Sequence, residues 1–380
     1  MIGLYIHIPF CKHKCSYCDF LTMIPHNSSQ IEEYVQYLKK EIIITADFYA
    51  KKHGRKPKID TIYFGGGTPS LLKINMIESM VELIKNYFYL DDDNEITIEI
   101  NPETIDEKWI KSLYNCGVNR ASVGFQNSNK DILKLLGRAH STEEFLSCVE
   151  YLNKYNIGNI SADIILSLPW SNLENTLIDA KLLCSLDIKH ISAYSLIIEE
   201  KTKLYSDIKN KRLIPVSDEL DRLIYHTFSE YLSNNGFHRY EISSFAKEGY
   251  ESRHNKKYWD LTEYFGLGLG ASGFIDGART KNPTNLKDYY KKINDKTIIN
   301  NIEYHLTKND TMSEYAFLSI RRSTGIDRKE FKEKFNIEFD NVFDLSKHLK
   351  NGLVYEEKDH IILTEKGMDL SNQVEVDLIL

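Results

Sequence analysis

Cysteine is scarce in this chain: six thiols in 380 residues, three of them crowded into residues 11–18. No second close cysteine pair follows, so the two separated ligand segments of an ordinary zinc site are missing. Cys116, Cys148 and Cys184 are scattered over apparent helices or their ends and read as buried thiols. No apolar run approaches the length of a membrane span. No leader segment precedes the first apolar strand, so the expected location is the cytoplasm, where disulfides are rare. Positive charge is not in excess either. A net charge of −7 argues against broad nucleic-acid binding and leaves room only for a local basic patch. The glycine run at residues 65–67 is not followed by Gly-Lys-Ser/Thr, which excludes a P-loop. Repeats are absent beyond an alternation of strand and helix. What remains is an ordinary globular composition, long enough for a sizeable core and two domains.

The first twenty residues carry the strongest signal. Leu4 to Ile8 is apolar and β-prone, Pro9 ends it, and Cys11, Cys15 and Cys18 follow with spacing C-x3-C-x2-C. Three thiols thus sit on a loop at the carboxyl end of a first strand. Thiolates so close in sequence can close around one inorganic centre. An iron–sulfur cube normally takes four protein ligands, so three would leave one iron open to a small molecule. Zinc with His13 as a fourth ligand is the competing reading.

Further along, strand and helix alternate. Ile31, Tyr34, Val35, Leu38, Ile42 and Ala46 share one helical face. Ile59–Phe64, Ile96–Ile100, residues 119–125, Ile160–Leu166 and Ile191–Ile197 read as further strands, with Tyr240–Phe245 as a closing one. Helices between them are marked by Ile74, Ile77, Val81 and Ile84, by Ile105, Trp109 and Leu113, by a Ser141–Glu144 capping box, by Leu173, Leu177 and Ala180, and by Ser217 as a cap. Six such units suit either an open doubly wound sheet or a partial barrel. Cys11–Cys18, Gly65–Ser70, Glu99, Gln126 and Asp163 all fall at or just after the carboxyl ends of strands, which is where barrels place their active sites. The fold expected is therefore α/β, a partial (β/α)6 barrel. After residue 305 the rhythm stops. Helices over 312–320, 328–335 and 341–350 and a hairpin over 353–364 read as a small winged-helix-like domain. The tail has no sustained basic helix, so the wing gives little support to nucleic-acid binding. The expected division is 1–300 and 301–380.

Several residues have two readings on chemistry alone. Stacked glycines at 65–67 form either a bare tight turn or a backbone cradle. Glu99 is either solvated surface or a carboxylate aimed at an ammonium or at ribose hydroxyls. His254 and Tyr258 are of a type that ligates heme iron, Trp259 offers a flat aromatic face, and Arg253, Lys256 and Lys257 could pair with propionates. The alternative is a surface loop packed on the barrel. His7, in the first strand, also reads as a buried structural histidine. Gly268-Leu269-Gly270-Ala271-Ser272-Gly273 spells a dinucleotide fingerprint but lacks the βαβ context it requires. Its glycines suit close backbone approach, to a bound cofactor among other partners.

Taken together, YIHIPFC-x3-C-x2-C-D-F resembles the opening of radical S-adenosylmethionine (SAM) proteins. Within that superfamily it is similar to the branch holding oxygen-independent coproporphyrinogen III oxidases and HemW-type heme chaperones. The resemblance implies a [4Fe–4S] cluster on Cys11, Cys15 and Cys18, with its open iron chelated by S-adenosyl-L-methionine. It implies SAM contacts at Gly66, Gly67, Thr68, Glu99, Gln126, Arg138 and Asp163, with Tyr5 and Tyr17 beside the cluster. It also implies the C-terminal domain. At one place the chain departs from the oxidases, which carry a fourth cysteine two residues after the third; here Asp19 is followed by Phe20. That difference marks the HemW branch, as does His254-Asn255-Lys256-Lys257-Tyr258-Trp259, which is similar to a motif tied to heme. The resemblance therefore implies a heme chaperone, a non-catalytic role on a radical SAM scaffold, with acceptor hemoproteins such as respiratory-chain components as partners and membrane contact through the acceptor. The alternative is a coproporphyrinogen III oxidase. A radical SAM enzyme unrelated to porphyrins is a third reading, but it leaves the motif at 254–259 unexplained.

Overall fold

The computed structural model describes residues 1–380. Six strands lie side by side in chain order and run parallel: β1 (Ile2–Ile8), β2 (Lys58–Gly66), β3 (Tyr89–Ile100), β4 (Arg120–Gln126), β5 (Asn159–Leu166) and β6 (His190–Ser195). Helices follow them in sequence: α1 (Ser28–His53), α2 (Ile74–Tyr87), α3 (Glu107–Asn115), α4 (Lys130–Leu136), α5 (Thr142–Lys154), α6 (Leu173–Ser185), α7 (Lys203–Lys209), α8 (Asp218–Asn234) and α9 (Arg253–Trp259). β6 does not pair back to β1, so the expected barrel stays open.

Strand alternation explains what each face does. Leu4, Ile6 and Ile8 of β1, Ile62 and Phe64 of β2, Ile96, Ile98 and Ile100 of β3, and Ala121, Val123 and Phe125 of β4 are all buried in one apolar core with the helices. The intervening positions face the inside of the barrel, and they are polar: Tyr5, Thr61, Tyr63, Glu95, Thr97, Glu99, Arg120, Ser122, Ser161, Asp163, His190 and Ser192. Part of this polar row is paired within the fold, as Ser161 is with His190, and part of it opens into a cavity. Local signals behave as read. Ser141 and Glu144 form the expected capping box on α5, and Ser217 accepts the Leu220 N–H at the start of α8.

Tertiary context moves other elements. The expected closing strand at 240–245 is instead a hairpin, β7 (His238–Glu241) and β8 (Ser244–Ala246), turned at Ile242-Ser243 and antiparallel to β6. On the other edge, a short strand β9 (Tyr264–Leu267) adds parallel to β1, and β10 (Ser272–Ile275), β11 (Ala278–Lys281) and β12 (Ile302–His305) extend the sheet antiparallel from it, to twelve strands. The main sheet thus runs past residue 300 to His305. The glycine run at 268–273 forms the turn from β9 into the start of β10 and makes a close backbone approach: Gly268, at φ +101°, is pressed against the His7 carbonyl, where a Cβ would come within 2.6 Å. α1 clamps this turn. Buried Glu41 accepts from Gly268 N–H at 2.8 Å, Asn282 Nδ2 at 2.6 Å and Tyr289 hydroxyl at 2.6 Å, while Tyr34 hydroxyl donates to the His7 carbonyl at 2.7 Å.

The C-terminal part is helical with a small wing. Helices Lys308–Ser319 and Arg328–Phe335 match expectation, but the third is only Ser346–Lys350 with a single 3-10 turn at Phe339–Asn341 before it. The hairpin Val354–Glu357 and His360–Leu363 gains a third strand, Ile326–Asp327. A second apolar core built on Tyr315, Phe331, Phe339 and Leu363 draws in Leu261, Tyr264 and Phe274 from the barrel side.

Candidate active site and the floor beneath it

The cysteine loop is stitched down at three places. Met23 N–H donates to the Pro9 carbonyl at 2.7 Å and Cys11 N–H to the Met23 carbonyl at 3.0 Å, closing its neck. Ser16 N–H reaches the Leu136 carbonyl at the end of α4, at 2.9 Å, and Leu204 N–H at the start of α7 reaches the Ser16 carbonyl, at 2.8 Å. Across from the loop, Gly67 N–H donates to the Ile8 carbonyl at 2.8 Å, and a Cβ on Gly67 would lie 2.8 Å from the Phe10 carbonyl. Gly66, at φ +112°, has the His7 ring in the space a side chain would need. The glycine run is therefore required by close approach to the first strand as well as by any cradle.

Below the loop opens a cavity of about 390 Å3. Cys11, Cys15, Cys18, Tyr17, Gly66, Gly67, Thr68, Glu99, Gln126, Arg138 and Asp163 all line it, so eleven of the expected cluster and SAM residues come from five strands and the segments that follow them to one space. Tyr5 does not reach the cavity; its hydroxyl is bonded to His7 Nδ1 at 2.9 Å, one layer lower. All six cysteines are free thiols. No three His, Cys, Asp or Glu side chains are gathered as they would be around one ion, so the loop does not present a preformed single-metal site.

The walls divide by charge. At the top, Thr68 hydroxyl points to Cys11 Sγ at 3.4 Å, and Arg138 sets Nη1 3.8 Å from Cys15 Sγ and Nη2 2.7 Å from Asn101 Oδ1. Arg138 Nε has no partner and is buried. A guanidinium leaning on a thiol suits an anionic, thiolate-bound centre. Burial pushes the Cys18 thiol up to about 11 and raises Cys11, so neither is ionised without a metal to hold it. Deeper in, Glu99 accepts from Tyr63 hydroxyl and Gly66 N–H, both at 3.0 Å, and Asp163 accepts from Ser122 at 3.0 and 3.1 Å. Burial, and then the charge of Asp163, pushes Glu99 up to about 7; burial also raises Asp163. Two such carboxylates favour a cationic guest, and SAM carries a sulfonium and an ammonium. The residues present therefore fit both groups: an anionic cluster above and a cation below. Tyr63, Asn101, Arg120 and Ser122 also line the cavity and were not singled out in the sequence, while Asn255 was named only within the motif at 254–259. The polar alternation of β2 to β5 was the available signal for the strand residues among them.

The motif at 254–259 is not a surface loop. It is helix α9, and it closes the floor of the barrel. Arg253 and His254 N–H donate to the two oxygens of Glu95 at 3.1 and 3.0 Å, and Lys257 Nζ pairs with Asp60 at 2.8 Å and the Met1 carbonyl at 3.0 Å. His254, expected as an iron ligand, is fully buried. Its Nδ1 is bonded to Thr61 Oγ1 at 2.8 Å, its Nε2 to Tyr258 hydroxyl at 3.0 Å, and its ring stacks on Tyr63 at 5.2 Å. Burial, then the charges of Lys257 and Arg120, pushes its pKa down to about 3. Tyr258 packs against the C-terminal core, and Trp259 lies under the Arg321 guanidinium, 5.4 Å away. Asn255, on the same helix, lines the cavity. The motif thus joins cavity floor to C-terminal domain. We expect His254→Ala to cost roughly 2–4 kcal/mol in denaturant unfolding, through the lost ring and the unpaired Thr61 and Tyr258 hydroxyls. Unchanged unfolding would remove His254 from this structural role.

Comparison with known proteins follows this geometry. Residues 5–182 match the model of the Radical SAM superfamily, and residues 306–370 that of the HemN C-terminal domain. The chain is 34% identical over 377 residues to a protein of Bacillus subtilis named Heme chaperone HemW, covering 98% of each. It is also 34% identical to a Heme chaperone HemW of Lactococcus lactis, covering 97% of this chain and 95% of that one. Among solved structures it is similar to the coproporphyrinogen III oxidase HemN of Escherichia coli, described as a radical SAM enzyme. There the TM-score is 0.87 at 23% identity, covering 99% of this chain and 89% of the other, which is a likeness of fold.

Proposed function

This chain belongs to the HemW family of radical SAM proteins, and from that membership we propose that it is a heme chaperone. It binds heme and passes it to acceptor hemoproteins, respiratory-chain components among them. Cys11, Cys15 and Cys18 hold a [4Fe–4S] cluster, and exchangeable SAM lies against Gly66, Gly67, Thr68, Glu99, Gln126, Arg138 and Asp163. Once bound, the cluster supplies an iron with an open coordination position for SAM. The chain's own residues do the rest. Arg138 balances the thiolates, Glu99 and Asp163 receive the cation, and the α9 floor keeps water out from below.

The observation that carries the chaperone reading over the oxidase is relatedness along almost the whole length to proteins named for heme delivery. The oxidase likeness is one of fold. Phe20, where the oxidases keep a cysteine, points the same way. On this reading the chaperone works in the cytoplasm and meets membrane-bound acceptors at their surface. No helix of the protein is long and apolar enough to cross a membrane.

The test is anaerobic. Protein with its cluster rebuilt is given SAM and a reductant, then either heme with an apo-hemoprotein or coproporphyrinogen III. Heme should bind and move to the acceptor, and no protoporphyrinogen should form. Steady coproporphyrinogen turnover that needs Cys15 would replace this reading with the oxidase.

A further inference from the structure

A side chain that touches neither cysteine stands between the hydrogen-bond donors of two of them. On the cluster reading above, we propose that Asn101 is the positioning residue that sets these donors, Thr68 on Cys11 and Arg138 on Cys15, and through them tunes the reduction potential of the cluster.

The ground is an unbroken run of contacts along the cavity wall. Arg138 Nη1 lies 3.8 Å from Cys15 Sγ, and Nη2 donates to Asn101 Oδ1 at 2.7 Å. Asn101 Nδ2 donates to Thr68 Oγ1 at 3.1 Å, and Thr68 Oγ1 lies 3.4 Å from Cys11 Sγ. The donors available fix each direction in this run. A guanidinium can only donate, so the amide must turn its oxygen to Arg138. Its NH2 group then faces Thr68, and the Thr68 oxygen has to accept. The single hydroxyl hydrogen of Thr68 is left for Cys11. The amide on one loop thus decides where a hydrogen on another loop points.

Asn101 is itself held firmly. Ser70 Oγ accepts its N–H at 3.1 Å, Thr104 Oγ1 donates to its carbonyl at 2.7 Å, and the two hydroxyl oxygens are 2.6 Å apart. The Thr104 hydrogen is spent on the carbonyl, so Ser70 donates to Thr104. Arg138 has little room to swing away. A Cβ on Gly124 would lie 2.6 Å from its Nη2, so the guanidinium rests against bare backbone of β4.

Hydrogen bonds and positive charge at cluster sulfurs favour the more negative, reduced state and raise the potential. Thr68 and Arg138 both act in that sense. Aspartate at 101 would reverse it. A carboxylate has no hydrogen for Thr68, so it takes the hydroxyl hydrogen from Cys11, and it draws Arg138 into an ion pair.

Cluster-loaded protein without SAM is titrated anaerobically with redox dyes, and the EPR signal of the reduced cluster is followed. Asn101→Asp is expected to lower the ratio of reduced to oxidised cluster at a fixed poise about tenfold, the equivalent of about 59 mV for one electron. Asn101→Ala adds no charge and should shift the potential the same way by less. Thr68→Val should lower it as well, and Thr68→Ser should restore it. The coupling is the deciding readout: each Asn101 substitution should shift the potential less in a Thr68→Val background than in the wild type. The alanine variant serves for this cycle where the aspartate variant holds no iron. Wild-type potential in both Asn101 variants, or shifts that add in full with Thr68→Val, would overturn the proposal and leave Asn101 a prop of the cavity wall. Wild-type protein that assembles no cluster would instead sink the cluster reading itself.

Discussion

Serine at position 15 should leave the protein folded and without its cluster. Anaerobic reconstitution of Cys15→Ser is expected to retain only stray iron, against about four irons per wild-type chain. A cube held by three thiolates has no ligand to spare. Its fourth iron is meant for a small molecule, so losing one cysteine leaves two protein bonds. The loop itself should survive the change. Its neck, its bond to α4 and its bond to α7 are backbone hydrogen bonds at residues 9, 11, 16 and 23 that no thiol makes. Cys148→Ser is the control, since that thiol is buried in α5 within the apolar core and does not line the cavity. Full iron content in Cys15→Ser, measured beside an unchanged thermal midpoint, would show that the cluster reading of the loop is wrong.

The parts of this molecule that the sequence made legible are those whose cause is local. A capping box spans four residues, a cysteine loop eight, and a strand declares itself by β-prone apolar residues within a stretch of five to eight. Such signals gave β1 to β6, most of the helices and the cluster ligands. The misreadings share a different cause: partners far away in the chain. HNKKYW looks like a polar surface loop because its composition is polar. In the fold its charges meet Asp60, Glu95 and the Met1 carbonyl, some 160 to 256 residues distant. The helix can then be buried at the barrel floor, since the His254 ring and the Lys257 ammonium both find partners there while Lys256 stays exposed. The glycine run at 268–273 reads as a site of close backbone approach, but its spacing does not name the partner. What it touches is the backbone of His7. β9 is a run of four residues that becomes a strand only because β1 offers it an edge.

The interior also sets the order of dependence between parts. Glu99 is held by Tyr63, Tyr63 carries the stacked His254, and His254 sits on a helix whose far end is in the C-terminal core. Substitutions in α9 should therefore be felt first in stability and in the placing of Glu99, before any effect on heme.

Glu99→Gln is expected to weaken SAM binding about 10- to 100-fold at pH 8, the range for losing a charged partner in a buried hydrogen-bonded site. The loss should shrink as pH falls. Glu99 titrates near 7 in the empty site, because burial and the neighbouring charge of Asp163 both disfavour its anion. At pH 8 most of the wild-type carboxyl is ionised and ready for a cation. At pH 6 most of it is protonated, and a cationic guest must first displace that proton. Glutamine resembles the protonated form at every pH, so the ratio of the two dissociation constants should narrow toward one between pH 8 and pH 6. Other groups facing Glu99 do not reproduce this pattern. Asp163 is present in both proteins and enters both dissociation constants alike, and burial raises the Tyr63 hydroxyl far above this range. Isothermal titration of the cluster-loaded proteins at pH 6, 7 and 8 reads the ratio directly. A ratio that stays constant would mean that Glu99 holds SAM through its shape, or not at all, and that its raised pKa has no part in binding.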